Sequence, residues 1–375
     1  MRGKYVIAGI GHTAYGKLPG RTTVSMNVEA TRNALRDAGI EKALVDAVLV
    51  KAPTSAREMV YGQLVSEALG VVPKWSFAVD QGGAANVSLI SIACMGIEAG
   101  QCDVAVVCYA DNPRTGNRAF MGRARTSEAG AFGWAAAAGG YGMIHQAHIA
   151  EYGTRPEDFA AIAMACRKHG ATNPDAQLKA PLTLEAYLAA PFVVEPMRRD
   201  DICLVSDGAA ALIIMSEKRA RELKVPAPVP ILGFGQGQTT TEVTQRPKLT
   251  ESMAKVSAKT AFDMAGIGPK DVDAVQFYDC FTVVAMMALE EYGFCKPGQV
   301  GAFAREGRLE VGGDLPLNTS GGLLSETGMP GLQLVMEGVR QVRGTAANQV
   351  KNAGKVVVSN QGGQMQTHAT LILGA

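Results

Sequence analysis

Three consecutive side chains able to do proton chemistry, Tyr278, Asp279 and Cys280, stand between an extended run, Ala274 to Tyr278, and a segment with Val284, Met287, Ala288 and Leu289 at helical spacing. A strand that passes into a helix holds its last residues rigidly and can still turn them toward a cavity, which is how open α/β folds build sites. A phenol and a thiol at such a corner can transfer protons. A helix cap accounts for the same corner more simply, with Asp279 or Thr282 accepting backbone N–H bonds and Tyr278 packed. Strand alternation sends Tyr278 and Asp279 to opposite sides, the phenol to the cavity and the carboxylate to the cap.

His368, one of five histidines, lies in the strand-like run THATLILG and reads either as a proton shuttle or as a structural histidine. His145 and His148, three apart, share one helical face, but no third ligand is evident and no metal is assigned. His12 and His169 read as surface or turn residues. The seven cysteines form no CxxC pair, and Cys94, Cys102 and Cys108 sit in or beside apolar segments as small buried hydrophobes. A reduced, cytoplasmic protein without a zinc site is expected. Cys280 differs by its place beside the cavity, where pocket lining is its expected role.

The elements that position these residues recur. A helix, Val24 to Ala38, stopped by Gly39, is followed by a strand, Ala47 to Val50. The same unit returns in the second half, where Ala265-Gly266-Ile267 and Asp273-Ala274-Val275 answer to Ala38-Gly39-Ile40 and Asp46-Ala47-Val48. Each copy then has a glycine pair and an apolar helix: Gly82-Gly83 with Ala84 to Glu98, and Gly321-Gly322 with Leu332 to Val342. A further strand follows in each, Val104 to Val107 and Val356 to Val358. Alternating helices and strands with internal doubling imply a layered α/β architecture of two related halves. Residues 1–111 and 190–225 make the first half and 226–375 the second. Residues 112–189 form a loop or cap excursion, expected over the end of the first half, whose Arg114, Arg118, Arg123 and Arg125 could face phosphates or solvent.

Lysine and arginine (36) nearly balance aspartate and glutamate (35), so no long-range field gathers nucleic acid or an anionic membrane. No apolar run reaches membrane-spanning length, and the start reads as a first strand rather than a signal peptide.

The stretches NVEATRNALRDAGI, GGAANVSLISIACMGIEAGQCDVAVV, VSDGAAALIIMSEKRA, YDCFTVVAMMALEEYGFC, NTSGGLLSE and SNQGGQMQTHATLILG, in this order, resemble the thiolase superfamily, in particular its lipid-transfer or sterol-carrier-type branch. The resemblance implies the five-layered αβαβα thiolase fold, a homodimer and acyl-CoA thioester substrates. Coenzyme A enters as part of the substrate, with no covalently bound cofactor. It also implies a possible small zinc-ribbon and OB-fold partner protein.

Thiolases carry a nucleophilic cysteine at the head of the first glycine-turn helix, where the helix N-terminus lowers a thiol pKa. The matching residue is Gly83. The second, acid/base cysteine matches Asn360, the Gly-His-Pro motif falls at Gly328-Met329-Pro330, and the residue heading the NEAF or HDCF motif is Tyr278. With all four positions changed, the leading reading is carbon–carbon bond chemistry without an acyl-cysteine, namely retro-aldol cleavage of a β-hydroxyacyl-CoA. Tyr278 would be the base, and Asn360 with backbone N–H groups of Gly83, Gly362 or Gly363 would form the oxyanion site. A second tyrosine implied near SGGLLSE is replaced by Thr327 and Gly328. An acyltransferase of the acetyl-CoA acetyltransferase kind, with an unrecognised nucleophile, and a non-catalytic acyl-CoA- or lipid-binding or scaffolding subunit remain as alternatives.

Overall fold

A computed structural model describes residues 1–56, 58–116, 130–134, 136–329 and 331–375. The first part of the chain forms β1 (Tyr5–His12), α1 (Thr23–Ala38), β2 (Ala47–Lys51), α2 (Tyr61–Leu69), β3 (Trp75–Val79), α3 (Ala85–Glu98) and β4 (Val104–Asp111). Next come α4 (Ala136–Tyr152), α5 (Pro156–Thr172), α6 (Leu184–Ala189), a small hairpin of β5 (Phe192–Val194) and β6 (Met197–Arg198), β7 (Gly208–Ser216) and α7 (Glu217–Glu222). The remainder is β8 (Val229–Gln238), α8 (Ala254–Ala265), β9 (Ala274–Phe277), α9 (Thr282–Glu291), α10 (Val300–Arg305), α11 (Gly322–Ser325), α12 (Leu332–Arg343), β10 (Lys355–Gly362) and β11 (Thr367–Gly374).

Nine strands form one sheet in the order β3-β2-β4-β7-β1-β8-β11-β10-β9. Its two halves meet at a short antiparallel seam, Tyr5 to Ile7 against Val229 to Ile231. Outward from that seam, β1-β7-β4-β2 repeats as β8-β11-β10-β9: two antiparallel pairings and then a parallel one on each side. The sequence doubling is therefore a doubling of topology. It extends to Gly39 and Gly266, which end α1 and α8 with φ of 67° and 63°, a left-handed turn that glycine adopts without steric cost. It also extends to glycines on β1 and β8, where a Cβ at Gly9 would lie 2.8 Å from Ala38 Cβ and one at Gly235 3.0 Å from the Ala261 nitrogen. Their absent side chains let α1 and α8 lie close on the sheet.

Helices α3 and α12 touch strands of both sheet halves and form the central layer. Nearly every residue of α3 from Ala85 to Cys94 is buried, as expected of a helix apolar on all sides. Alternation sorts the first half cleanly: Ile7, Leu49 and Val107 face the central core, while Val6, Val48 and Val106 face α1 and α2. With α8 on the outer face of the second half, the layers run α, β, α, β, α.

The excursion contacts both halves. Its α4 and α5 pack on α9, α10 and α11 of the second half, while Asn112 and Asp175 reach the first half at Arg21 O (3.0 Å) and His12 Nε2 (3.6 Å). Arg114 is tied by its backbone N–H to Asp207 Oδ1 at 2.7 Å and by its side chain to Gln177 Oε1 at 3.1 Å. Arg118, Arg123 and Arg125 lie outside the described residues. Among the described residues no helix is long and apolar enough to cross a membrane.

Candidate active site

The turn 81–83 that leads into α3 meets the end of β10 backbone to backbone. A Cβ at Gly82 would lie 2.7 Å from Gly362 Cα and 2.8 Å from the Gly363 nitrogen, so the two halves touch here only because these positions lack side chains. Gly82 itself has φ of 58°. At Gly83 the obstacle is a phenol. A Cβ there would stand 2.5 Å from Tyr278 Cζ, and nearer still to Tyr278 Oη and the Gln361 carbonyl oxygen. The hydroxyl of Tyr278 thus fills the space into which a side chain at 83 would project.

Tyr278 reaches this point because β9 pairs in parallel with β10 and its own N–H continues the ladder to Ser359 O at 2.9 Å. Its side chain is 7% exposed, and burial, reinforced by Cys280, Cys203 and Asp279, pushes the phenol well above its ordinary pKa. The resting group is a neutral phenol, an acid and not a standing base.

Asp279 points the other way, as alternation requires, but it does not cap the helix that follows it. Its Oδ1 accepts the Leu323 N–H at 2.7 Å and its Oδ2 the Leu324 N–H at 3.3 Å, so it caps α11. Burial nevertheless raises it to about 6, against the lowering effect of these bonds. Thr282, the other cap candidate, donates to Asp201 Oδ1 at 2.7 Å and sits 3.2 Å from His145 Nε2, and α9 starts without a side-chain cap.

Cys280 is held in a small network that sequence reasoning missed. Gln361 Nε2 donates to Cys280 Sγ at 3.0 Å and to Tyr141 Oη at 2.5 Å, and Tyr141 in turn donates to Gly363 O at 2.8 Å. The Cys280 thiol lies 3.6 Å from the same hydroxyl. Burial raises the Cys280 thiol well above its ordinary value, which disfavours the thiolate a nucleophile needs. Tyr141 belongs to the excursion and stacks on Phe281 with ring centroids 4.0 Å apart. Its only signal in the sequence was as one of two aromatic residues, with Trp134, in the small-residue run 133–142.

Asn360 is fully buried; its Nδ2 donates to Gly83 O at 3.3 Å, as does Asn86 Nδ2 from α3. Gly331, at φ of 96°, closes over both amides: a Cβ on it would meet Asn86 Nδ2 at 2.6 Å and Asn360 Cγ at 3.1 Å. Met329 is buried just before it, and Gly328 N–H is held by Ser206 Oγ at 3.1 Å. Pro330 lies outside the described residues.

The structure does not bring His368 to this cluster. Ser359 and Asn360 are neighbours on β10 and so point to opposite faces; Ser359 Oγ is 3.0 Å from His368 Nε2, whereas Asn360 faces Gly83. Burial holds His368 neutral, down to about 3. His169 is buried rather than at a surface turn, with Nδ1 3.0 Å from Leu317 O and Nε2 accepting the Val311 N–H at 3.1 Å. His145 and His148 each bond separately, His145 to Tyr141 O and Thr282, His148 to Thr154 Oγ1 at 2.6 Å and Glu290 Oε2 at 3.2 Å.

Fold and site together describe a thiolase scaffold in which the Tyr278 phenol fills the space that a side chain at Gly83 would take. Comparison with known proteins agrees on the scaffold. The family described as "Thiolase C-terminal domain-like" matches residues 235–375. The chain is 35% identical to a steroid side-chain-cleaving aldolase of Thermomonospora curvata, over 100% of this chain and 99% of that one. It is 33% identical to the 17-hydroxy-3-oxo-4-pregnene-20-carboxyl-CoA lyase of Mycobacterium tuberculosis, over 96% of each. A solved structure described as an Ltp2-ChsH2(DUF35) aldolase superposes with a TM-score of 0.90 at 34% identity, covering 100% of this chain and 98% of that one. The chain belongs to the thiolase superfamily, in its non-classical lipid-transfer, sterol-carrier-type branch.

Proposed function

We propose that this chain is an acyl-CoA aldolase, cleaving the bond between the α and β carbons of a β-hydroxyacyl-CoA to give a carbonyl compound and a shortened acyl-CoA. The observation that carries this reading is the position of Tyr278: a proton-transfer group fills the space where an acyl-cysteine would project from Gly83. The relatives described as an aldolase and a CoA lyase support the same reaction class.

In the retro-aldol step the β-hydroxyl loses its proton and its oxygen becomes the carbonyl. The Cα–Cβ electron pair moves into the thioester, and the enolate so formed takes a proton at Cα. Net, one proton travels from oxygen to carbon. A neutral phenol lying between the two can take the hydroxyl's proton only as it gives its own to Cα, a concerted relay that suits its raised pKa better than the role of a free base. The enolate oxygen is assigned to backbone N–H groups of Gly83, Gly362 and Gly363. The Tyr141, Gln361 and Cys280 network holds that wall in position, and His368, on the other face of β10, takes no part.

Tyr278→Phe keeps the ring and removes the proton. It is expected to lower kcat on a β-hydroxyacyl-CoA by about 10²- to 10⁴-fold with CoA-ester binding retained. Activity within a few-fold of wild type would sink the assignment of Tyr278. A wild type inert on every β-hydroxyacyl-CoA, with its partner supplied, would favour a binding or scaffolding subunit. We also assign the chain a homodimeric state and a small zinc-ribbon and OB-fold partner, a pairing supported by the solved relative described with a DUF35 protein.

A further inference from the structure

Buried polar atoms are almost always paired, so each one that is not asks for a partner, be it ordered water, an ion or a ligand group. Among the described residues, three such acceptors lie in or against the segment 327–333: Asn360 Oδ1, Thr327 Oγ1 and Gln333 Oε1. Each belongs to a residue with no exposed surface. They share one neighbourhood, since Gln333 Nε2 donates to Thr327 O at 3.2 Å and Gly331, between them in sequence, closes directly on the Asn360 amide.

The orientation of Asn360 is fixed by its partner. Gly83 O can only accept, so the Asn360 group 3.3 Å from it must be the NH₂, and the carbonyl Oδ1 is turned away from Gly83 O without a hydrogen-bond partner. Gly83 is also where Tyr278 Oη sits, so the open acceptor of Asn360 and the phenol flank the same residue. A ligand group that reaches the phenol therefore arrives next to an acceptor that lacks a donor. An enolate oxygen is itself an acceptor and would leave Asn360 Oδ1 unmatched; a hydroxyl donates and would satisfy it.

We infer that Asn360, backed by Thr327, forms a hydroxyl subsite: its Oδ1 accepts the hydrogen bond of the substrate's β-hydroxyl, so that the protein selects β-hydroxyacyl thioesters over those without the hydroxyl. This rests on the aldolase reading and changes one part of it, moving Asn360 from the oxyanion site to recognition of the alcohol. The hydroxyl's single proton bonds Asn360 Oδ1 in the bound substrate and turns to Tyr278 for the transfer, so Asn360 acts on the binding of the alcohol and is a specificity-determining residue. Selection by a site whose buried acceptor stays unpaired in the wrong complex is the strong kind of discrimination.

The test compares binding of 3-hydroxybutyryl-CoA with butyryl-CoA by calorimetry on the full chain, wild type and Asn360→Leu. The wild type is expected to bind the hydroxy ester about tenfold or more tightly, the effect of one buried hydrogen bond. Asn360→Leu should erase that preference while leaving butyryl-CoA affinity within a few-fold, a split that a merely structural role would not produce. If Asn360→Leu does not fold, Thr327→Val, isosteric and lacking one of the open acceptors, should reduce the preference in the same direction. Equal binding of the two esters by the wild type would overturn the subsite and leave the acceptors to ordered water. Failure of the wild type to bind either ester would sink the acyl-CoA reading itself, and the subsite with it.

Discussion

Placing a single carbon at Gly83 tests the geometry on which the site depends. Gly83 does not use a backbone conformation reserved for glycine, so Gly83→Ala adds a Cβ without backbone strain and its effect is steric. That Cβ would lie 2.5 Å from Tyr278 Cζ, about 1 Å inside ordinary carbon contact, with Tyr278 Oη and Gln361 O closer still. Overpacking of this kind costs about 1–3 kcal/mol. Of the three obstacles two belong to the phenol and one to the main chain of β10, so removing the ring relieves part of the clash. In a Tyr278→Ala background, itself costly by about 3–5 kcal/mol, Gly83→Ala should cost less than in wild type, with a coupling of about 0.5–1.5 kcal/mol. Urea unfolding of the wild type, both single variants and the double variant measures this directly. The same clash means that Gly83→Cys should acquire no acyl group from acetyl-CoA, because its sulfur would need the space that Tyr278 and Gln361 fill. A neutral Gly83→Ala, additive costs in the double variant, or a stable acyl adduct on Gly83→Cys by mass spectrometry would each show that the phenol is not where the argument puts it.

Glu326 gives a pH-dependent counterpart. Burial raises its carboxyl to about 8, against the opposing pull of Arg340 and the hydrogen bond from Ser320. A carboxyl whose folded pKa exceeds its unfolded value near ~4.3 folds preferentially protonated; its stabilisation is full below that value and is lost as pH rises through about 8. Relative to Glu326→Gln, the wild type should therefore lose on the order of a few kcal/mol between pH ~5 and ~8, and parallel stability curves across that range would refute the assignment. The assembly is checked separately: sedimentation of the pure chain at micromolar concentration should give a dimer, and a monomer alone would reject it.

Elements defined by local pattern were legible. Gly39 and Gly266 stop their helices because each follows an amphipathic run, and the repeat they mark reappears as mirrored strand pairing. What the sequence did not disclose depends on contacts between distant parts. Asp279 has cap chemistry, but the amides it caps belong to Leu323 and Leu324, and nothing local distinguishes those from the amides of Phe281 or Thr282. His368 sits on a strand whose alternation was visible, yet alternation gives parity and not which face looks at the site; that was decided by pairing with β10. Tyr141 passed as a ring among small residues because its function comes from α4 packing on the second half. Gly83 carries the same lesson furthest. In the sequence it reads as a loss, a nucleophile replaced by nothing, and Tyr278 reads as an independent change at a remote position. In space they are complementary: the glycine makes room for the phenol, and the phenol closes the route by which a thiol could return. Neither substitution can be interpreted alone, and four altered positions therefore need not mean an erased site when two of them fit each other.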